Sequence, residues 1–169
     1  MIDPDDNTDD IQDEFVDASD NTGIKILPPF IFLGFFILAV ALDLMIGFNL
    51  LIWGFQLSAG VLLMSLGAFL MSWSFFRFQN AMTSVDVRKP ASDIVTDGPY
   101  AYSRNPIYLG MVFVYLGLVI LFDLFYGFVL LIPMIYILNT QIIEREESYL
   151  SRKFGASYED YKSHVRRWI

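Results

Sequence analysis

Four long runs without a charged residue constrain this sequence more than any other feature. A helix needs about 20 apolar residues to cross the hydrocarbon core of a bilayer, because each residue adds about 1.5 Å. The runs cover residues 26–42, 44–76, 105–122 and 124–143. The second run, of 33 residues, is too long for one simple span, and Gly47-Phe48-Asn49 offers a turn near its start. We therefore predict an all-α polytopic membrane protein with about four transmembrane helices, at about 27–45, 50–76, 106–122 and 124–143.

The acidic residues are concentrated at the N-terminus. Nine of the 19 Asp and Glu residues lie in residues 1–23, which hold no Lys or Arg, and the rest of the chain has a net charge of +1. A segment with so many like charges and so few apolar residues cannot bury enough surface to order itself. We predict that residues 1–23 are a disordered tail, either a solvated extension or a docking segment. Residues 24–169 then form a single integral-membrane domain.

The basic residues predict an orientation. Apart from Lys25, they lie between the second and third spans or after the fourth: Arg77, Arg88, Lys89, Arg104, Arg145, Arg152, Lys153, Lys162, Arg166 and Arg167. Basic residues flanking transmembrane helices favour the cytoplasmic side. We therefore expect both termini in the cytoplasm, with short cytosolic helices after the fourth span. The membrane would be the plasma membrane in a prokaryote or an endomembrane in a eukaryote.

Composition excludes several classes of chemistry. The chain has no cysteine and a single histidine, His164, so we expect no disulfide framework, no metal site and no Ser-His-Asp triad. It also lacks a glycine-rich loop between a strand and a helix, which excludes a soluble Rossmann-type methyltransferase. We expect the lipid bilayer as a partner and no nucleic acid, and the sequence assigns no oligomeric state.

The first segment rich in polar residues precedes and opens the third span, at residues 93–110. Gly98-Pro99 is a turn signal, and Pro106 suits the first turn of a helix, where its missing N–H costs nothing. Arg104 and Tyr108 are four residues apart and can share a helix face. The free N–H groups of such a helix start favour an anion.

The second segment follows the fourth span, at residues 144–161. We predict a helix that continues from the span and stops at Gly155, followed by a short helix that carries Tyr158 and Tyr161 as interface anchors. Taken alone, the acids Glu144, Glu146 and Glu147 are typical of a solvated helix end. They gain functional weight if the fold gives them a partner.

Together the two segments resemble the isoprenylcysteine carboxyl methyltransferase family, within the wider group that includes membrane phospholipid methyltransferases. The resemblance runs from residue 85 to the C-terminus. It rests on motifs in a fixed order: Val85-Asp86, Gly98-Pro99-Tyr100, Arg104-Asn105-Pro106-Ile107-Tyr108-Leu109-Gly110, Glu146-Glu147-Ser148-Tyr149-Leu150, Phe154-Gly155, Tyr158, Tyr161 and Val165-Arg166.

The resemblance implies a cofactor, S-adenosylmethionine, bound at the cytosolic mouth of a helix bundle. The family's cofactor contacts correspond here to Ser92, Asp93, Ile94 and Val95, then to Tyr100, then to Asn105, Pro106, Ile107 and Tyr108, and finally to Glu146. An acid such as Glu146, or next Glu147, suits the ammonium of the cofactor, and Arg104 with the start of the third span suits its carboxylate. The ring of Tyr100 or Tyr108 can face the sulfonium. Ile94, Val95 and Ile107 can flank the adenine.

Two positions depart from the family pattern. The usual Arg-His-Pro is Arg104-Asn105-Pro106 here, so imidazole chemistry is absent at that point. The eukaryotic carboxyl methyltransferases also place an arginine, which meets the substrate carboxylate, where this chain has Ile142. A prenylcysteine carboxylate would therefore lack that electrostatic partner.

The function predicted from these features is an integral-membrane, S-adenosylmethionine-dependent methyltransferase. Its acceptor would be lipid-like or amphipathic, and no side chain declares itself as a catalytic base. Two alternatives remain open. One is a membrane reductase that uses NADPH, since sterol-type reductases share a related helical hairpin; the other is a non-catalytic membrane protein that keeps the motifs for packing.

Overall fold

The chain forms a bundle of helices in a computed structural model that describes residues 22–24, 26–47, 54–81 and 91–169. The helices are α1 (Pro28–Ile46), α2 (Gln56–Asn80), α3 (Pro106–Leu121), α4 (Phe125–Leu138), α5 (Glu144–Phe154) and α6 (Ala156–His164). A short 3-10 turn, Gly98–Ala101, precedes α3, and a π-turn, Asn139–Ile143, joins α4 to α5. The described residues contain no strand. The predicted all-α fold is confirmed.

Three helical segments are long and apolar enough to cross a membrane: Pro28–Ile46, Gln56–Asn80 and Phe125–Phe154. Helix α3 is apolar but shorter, at 16 residues. Within the third segment every charged residue lies at Glu144 or beyond, so the spanning part ends at Ile143 and α5 extends past it. The chain is therefore a multi-pass membrane protein, as predicted.

The predicted limits of the first and third spans agree with the helices better than those of the second. The first and third spans agree with α1 and α3 to within one residue. The second was predicted to end at residue 76, but α2 continues to Asn80 because its last turn has partners: Arg77 pairs with Asp97 at 3.0 Å, and the Phe78 ring packs on Tyr100. Its predicted start at residue 50 lies outside the described residues. Residues 1–21 of the predicted tail lie outside them as well.

The fourth predicted span, 124–143, is helical but not a uniform α-helix. The α-helix that starts at Phe125 gives way to a π-turn over Asn139–Ile143. One extra residue in a helix rotates everything after it by about 100°. The turn therefore helps set which side chains of α5 face the rest of the bundle. The predicted stop at Gly155 is confirmed, with a backbone φ of 53° there.

Helices α2 and α3 approach closely through two pairs of glycines. A Cβ added to Gly67 would lie 2.5 Å from the carbonyl oxygen of Gly110, and one added to Gly60 would lie 2.8 Å from that of Gly117. Small residues let helix backbones approach in lipid, where no hydrophobic force drives helices together. Gly60 and Gly67 are seven residues apart, about two helical turns, so both lie on the face of α2 that meets α3.

Alanine at Gly67 is therefore expected to destabilise the bundle by about 1–3 kcal/mol, because its methyl group has to push the α3 backbone away. Gly34 is the matched control, since a Cβ there meets nothing within 4 Å. Gly34→Ala should leave the free energy of unfolding unchanged or slightly raised, because alanine favours a helix over glycine. Unfolding in mixed detergent micelles measures both. Equal effects of the two substitutions would contradict the close approach.

The core lies between α1, α3 and α4. Tyr115 of α3 is 2% exposed, donates its hydroxyl to the Gly127 carbonyl at 3.0 Å, and packs edge-on against Phe32. At the end of the bundle away from Arg104, the Asp43 carboxylate accepts the N–H groups of Phe125 and Tyr126 at 3.1 and 3.2 Å. This cap satisfies free donors at the start of α4. Packing and helix capping hold this end of the bundle, and the polar residues of the predicted site lie at the other end.

Candidate functional site

A cavity of about 420 Å³ lies where α2 ends and α1, α3 and α5 begin. Most of the residues predicted to bind a ligand line it: Asp93, Ile94, Val95, Tyr100, Arg104, Asn105, Ile107, Tyr108, Glu146 and Glu147. Ser92 and Pro106 do not. Pro106 is fully buried in the first turn of α3, where its missing N–H leaves no donor unsatisfied.

The turn before α3 directs Tyr100 inward. Gly98 has a φ of 60°, a conformation that glycine adopts without strain. The following 3-10 turn buries Tyr100, whose ring meets Phe78 edge-on at 5.3 Å between centroids. From α6, Tyr161 donates its hydroxyl to the Tyr100 carbonyl at 2.7 Å. Burial raises the pKa of Tyr100 far above its ordinary value, so this residue stays neutral.

Glu146 presents a carboxylate to the cavity without a cation beside it. Its Oε1 accepts the Tyr108 hydroxyl at 2.7 Å, and none of the described Lys, Arg or His side chains forms an ion pair with it. Burial raises the pKa of the Glu146 carboxyl to about 7; the Tyr108 hydrogen bond opposes this shift, and the nearby Glu147 adds to it. A carboxylate held this way favours a ligand that brings a positive charge.

Glu147, the next residue, is held in a different manner. Arg104 donates from Nε and Nη2 to its Oε1 at 3.1 and 2.7 Å. Arg167 donates from Nε to Oε1 at 3.2 Å and from Nη2 to Oε2 at 2.6 Å. The side chains of Arg104 and Glu147 are each only 11% exposed. Glu147 is thus neutralised by the protein itself, and the fold separates the roles of two adjacent glutamates.

The segment after α6 is fastened to the start of α3. The Arg104 N–H donates to the Arg166 carbonyl at 3.0 Å, and the Asn105 side-chain amide donates to the Arg167 carbonyl at 3.0 Å. Further along, the Trp168 indole donates to Asn139 Oδ1 in the π-turn at 3.2 Å. Asn105, which replaces the family's histidine, therefore holds the chain terminus in place.

Several cavity residues were missed by the sequence analysis, and two were interpreted wrongly. Tyr158 and Tyr161 were predicted to be interface anchors, but they are 2% and 9% exposed and line the cavity. Their spacing of three residues puts them on one face of α6, which was the available signal. The other cavity residues that were not predicted are Thr22, Leu27, Pro28, Pro29, Phe78, Ala91, Met111, Tyr149 and Leu150.

Comparison with known families decides the relationship of this chain. The model of the phospholipid methyltransferase family matches residues 55–157, which include the first polar segment and most of the second. The chain belongs to this family. The relationship predicted from the motifs is confirmed by this match and by a similar curated protein, described next.

Two curated proteins are similar to parts of the chain. Protein-S-isoprenylcysteine O-methyltransferase of Schizosaccharomyces pombe is 34% identical over 102 residues, which cover 59% of this chain and 43% of the yeast protein. An uncharacterised protein of Haemophilus influenzae is 51% identical over 35 residues, which cover 21% of this chain and 56% of that protein. The alignments thus span about half the length of these relatives. No solved structure matches the chain.

Proposed function

We propose that this member of the phospholipid methyltransferase family transfers a methyl group from S-adenosylmethionine to a lipid-like acceptor. The observation that carries the proposal is the carboxylate of Glu146, which lines the cavity and has no cation among the described residues. A buried carboxylate of this kind is costly unless a ligand provides its partner. Its position within the matched part of the family supports a role in binding.

The charged residues of the cavity suit the amino acid end of S-adenosylmethionine. Glu146 would hold the ammonium, and Tyr108 would fix the orientation of that carboxylate through its 2.7 Å hydrogen bond. Arg104, which also lines the cavity, would hold the carboxylate. The Ile107 N–H lies in the first turn of α3, where backbone donors have no acceptor within the helix and favour an anion.

The remaining cavity surface suits the rest of the ligand. Ile94, Val95 and Ile107 offer an apolar surface that would contact the adenine. Tyr100 offers an aromatic ring, and a cation is attracted to the face of such a ring. A volume of about 420 Å³ lies within the range of cavities that take ligands of this size. The residues present therefore fit the cofactor.

The chemistry asks little of the side chains beyond positioning. S-adenosylmethionine, when bound, supplies a methyl group already activated by its sulfonium. The protein would hold the acceptor in line and exclude water, and the apolar walls contributed by Phe78 and Met111 suit that purpose. We assign no catalytic base.

An amphipathic acceptor fits the position of the cavity. Leu27, Pro28 and Pro29 line it where α1 enters the apolar part of the bundle. Phe30 and Leu33 of α1 are exposed on the outside of the bundle, where lipid would contact them. We propose that the acceptor enters laterally from the bilayer and that the cavity opens on the cytoplasmic side. The residue at the family's arginine position, Ile142, is buried in the core, which disfavours a prenylcysteine carboxylate as the acceptor.

Binding of S-adenosylmethionine is expected to depend on pH because the Glu146 pKa is about 7 in the empty site. Below pH 7 the carboxyl must release its proton before it can pair with an ammonium. Affinity should therefore be constant above about pH 8 and fall by about tenfold per unit well below pH 7. Titration calorimetry from pH 5.5 to 8.5 measures this. A flat profile for the wild type, equal to that of Glu146→Gln, would contradict the assignment.

The activity is tested with membranes that contain the expressed protein and S-adenosylmethionine labelled on the methyl group. We expect label in the organic phase after lipid extraction, above the level in membranes without the protein. Label found in water-soluble products alone would contradict the lipid-like acceptor. Absence of transfer to any fraction, with folded protein and the host's own lipids present, would contradict the methyltransferase activity.

A further inference from the structure

We propose that Arg167 gives the cavity its positive end by acting through Glu147, and so makes the site selective for a ligand with both an ammonium and a carboxylate. The inference rests on the proposed function, since S-adenosylmethionine is such a ligand. Arg167 does not line the cavity, so it is a positioning residue. Arg167 would act on the ligand through the net positive charge that it gives to Arg104 and Glu147, which do line the cavity.

The charges behind the cavity wall do not cancel. One carboxylate, Glu147, is shared by two guanidinium groups, whose nearest atoms lie 2.7 Å (Arg104) and 2.6 Å (Arg167) away. The trio therefore carries a net charge of +1. Without Arg167, the Arg104–Glu147 pair would be neutral, and a ligand carboxylate beside Arg104 would meet no surplus of positive charge. Glu144 lies 3.7 Å from Arg167 but is 53% exposed, so solvent screens it.

The surplus charge acts on the cavity through Arg104. Four of the five guanidinium N–H groups of Arg104 have acceptors: two on Glu147, and one each on the carbonyls of Lys162 and Val165. The remaining N–H is on Nη2. Because the side chain is only 11% exposed, the charge is weakly screened and its interaction with an anion is stronger than in water.

The opposite sign is provided at the same cavity by Glu146. Its carboxylate has no cation among the residues that the structure describes, whereas its neighbour Glu147 has two. A negative group and a net positive group thus line one cavity at separate points. This arrangement matches a zwitterionic amino acid group better than it matches a ligand with an ammonium alone.

The backbone around Arg167 is fixed independently of its side chain. Its carbonyl accepts from Asn105, the preceding carbonyl accepts from the Arg104 N–H, and the following Trp168 donates to Asn139. A substitution at Arg167 should therefore remove the charge and leave the chain terminus in place.

The test compares binding of S-adenosylmethionine with binding of its decarboxylated form, which keeps the ammonium, sulfonium and adenine. Titration calorimetry is run on the wild type, Arg167→Met, Arg167→Lys and a matched control, Arg166→Met. The Arg166 side chain is exposed, so its loss removes the same charge from the adjacent position. We expect the wild type and Arg166→Met to prefer the carboxylate-bearing ligand by about tenfold or more.

Arg167→Met should lose most of that preference while keeping its affinity for the decarboxylated ligand, and Arg167→Lys should restore part of it. If Arg167 had only a structural role, Arg167→Met would bind both ligands more weakly by the same factor. That result would overturn the inference. An unchanged preference in Arg167→Met would also overturn it, with the proposed function intact. If the folded wild type binds neither ligand, the proposed function fails and this inference fails with it.

Discussion

Replacing Glu146 with glutamine is expected to weaken the binding of S-adenosylmethionine by about 10- to 100-fold. Hydrogen bonds to charged groups contribute about 1.5–3 kcal/mol, and here the substitution removes the carboxylate that is assigned to the ligand ammonium. The amide of glutamine keeps an oxygen that can accept from Tyr108, whose hydroxyl lies 2.7 Å from Oε1. The substitution thus removes the charge with little change in shape. Titration calorimetry on the purified protein measures the effect.

Glu159→Gln is the matched control for this variant. Glu159 lies on α6, its side chain is 55% exposed, and it contacts only Ser151 and Lys162. We expect it to bind S-adenosylmethionine as the wild type does. If Glu146→Gln binds the ligand with wild-type affinity at pH 8, the ammonium contact is wrongly assigned.

Replacing Glu147 with glutamine is expected to act on stability instead. The variant leaves the Arg104 and Arg167 guanidinium groups facing a neutral amide, with Arg104 almost completely buried. Removing one partner of a buried ion pair costs about 3–5 kcal/mol, because an uncompensated charge remains. Arg167 is one-third exposed, so we expect a loss near the lower end. Unfolding in mixed micelles measures the change.

An exposed ion pair provides the comparison. Breaking the Lys162–Glu159 contact, whose side chains are 30% and 55% exposed, should cost less than about 1 kcal/mol. In a double-mutant cycle, Arg104→Met with Glu147→Met should cost less than the sum of the single changes, because the weakly exposed Arg104 charge is then removed together with its partner and only the one-third exposed Arg167 loses its carboxylate. Additive effects, or a loss under 1 kcal/mol in Glu147→Gln, would show that the trio does not stabilise the fold.

The helices were predictable where local sequence signals mark where they begin. Pro28 and Pro106 each occupy the first turn of a helix. The charge-free runs indicated where the apolar helices lie but not where they end, since α1 continues past Asp43 and α2 past Arg77. The π-turn after Leu138 was not predictable, because the residues of Asn139–Ile143 show no periodicity that separates it from an α-helix. Its hydrogen bond partner, Trp168, is 29 residues away.

The segments that form the candidate site were predictable from the sequence, but the role of each residue within them was not. Adjacent residues of a helix point about 100° apart, so Glu146 and Glu147 had to differ, but nothing local says which one is neutralised. The answer depends on Arg104 and Arg167, which lie 43 and 20 residues from Glu147. Arg104 was predicted to hold a ligand carboxylate; the fold also commits most of its donors to the protein. Whether the lining residues bind the cofactor stays a prediction.

The most direct test of the central claim is equilibrium binding of S-adenosylmethionine to the purified protein in lipid nanodiscs, beside NADPH. The account predicts saturable binding of S-adenosylmethionine at about one per chain and no binding of NADPH. Binding of NADPH without S-adenosylmethionine would contradict the account and select the reductase alternative. Binding of neither ligand to folded protein would contradict it too, and would make the family's cavity in this chain a feature of packing alone.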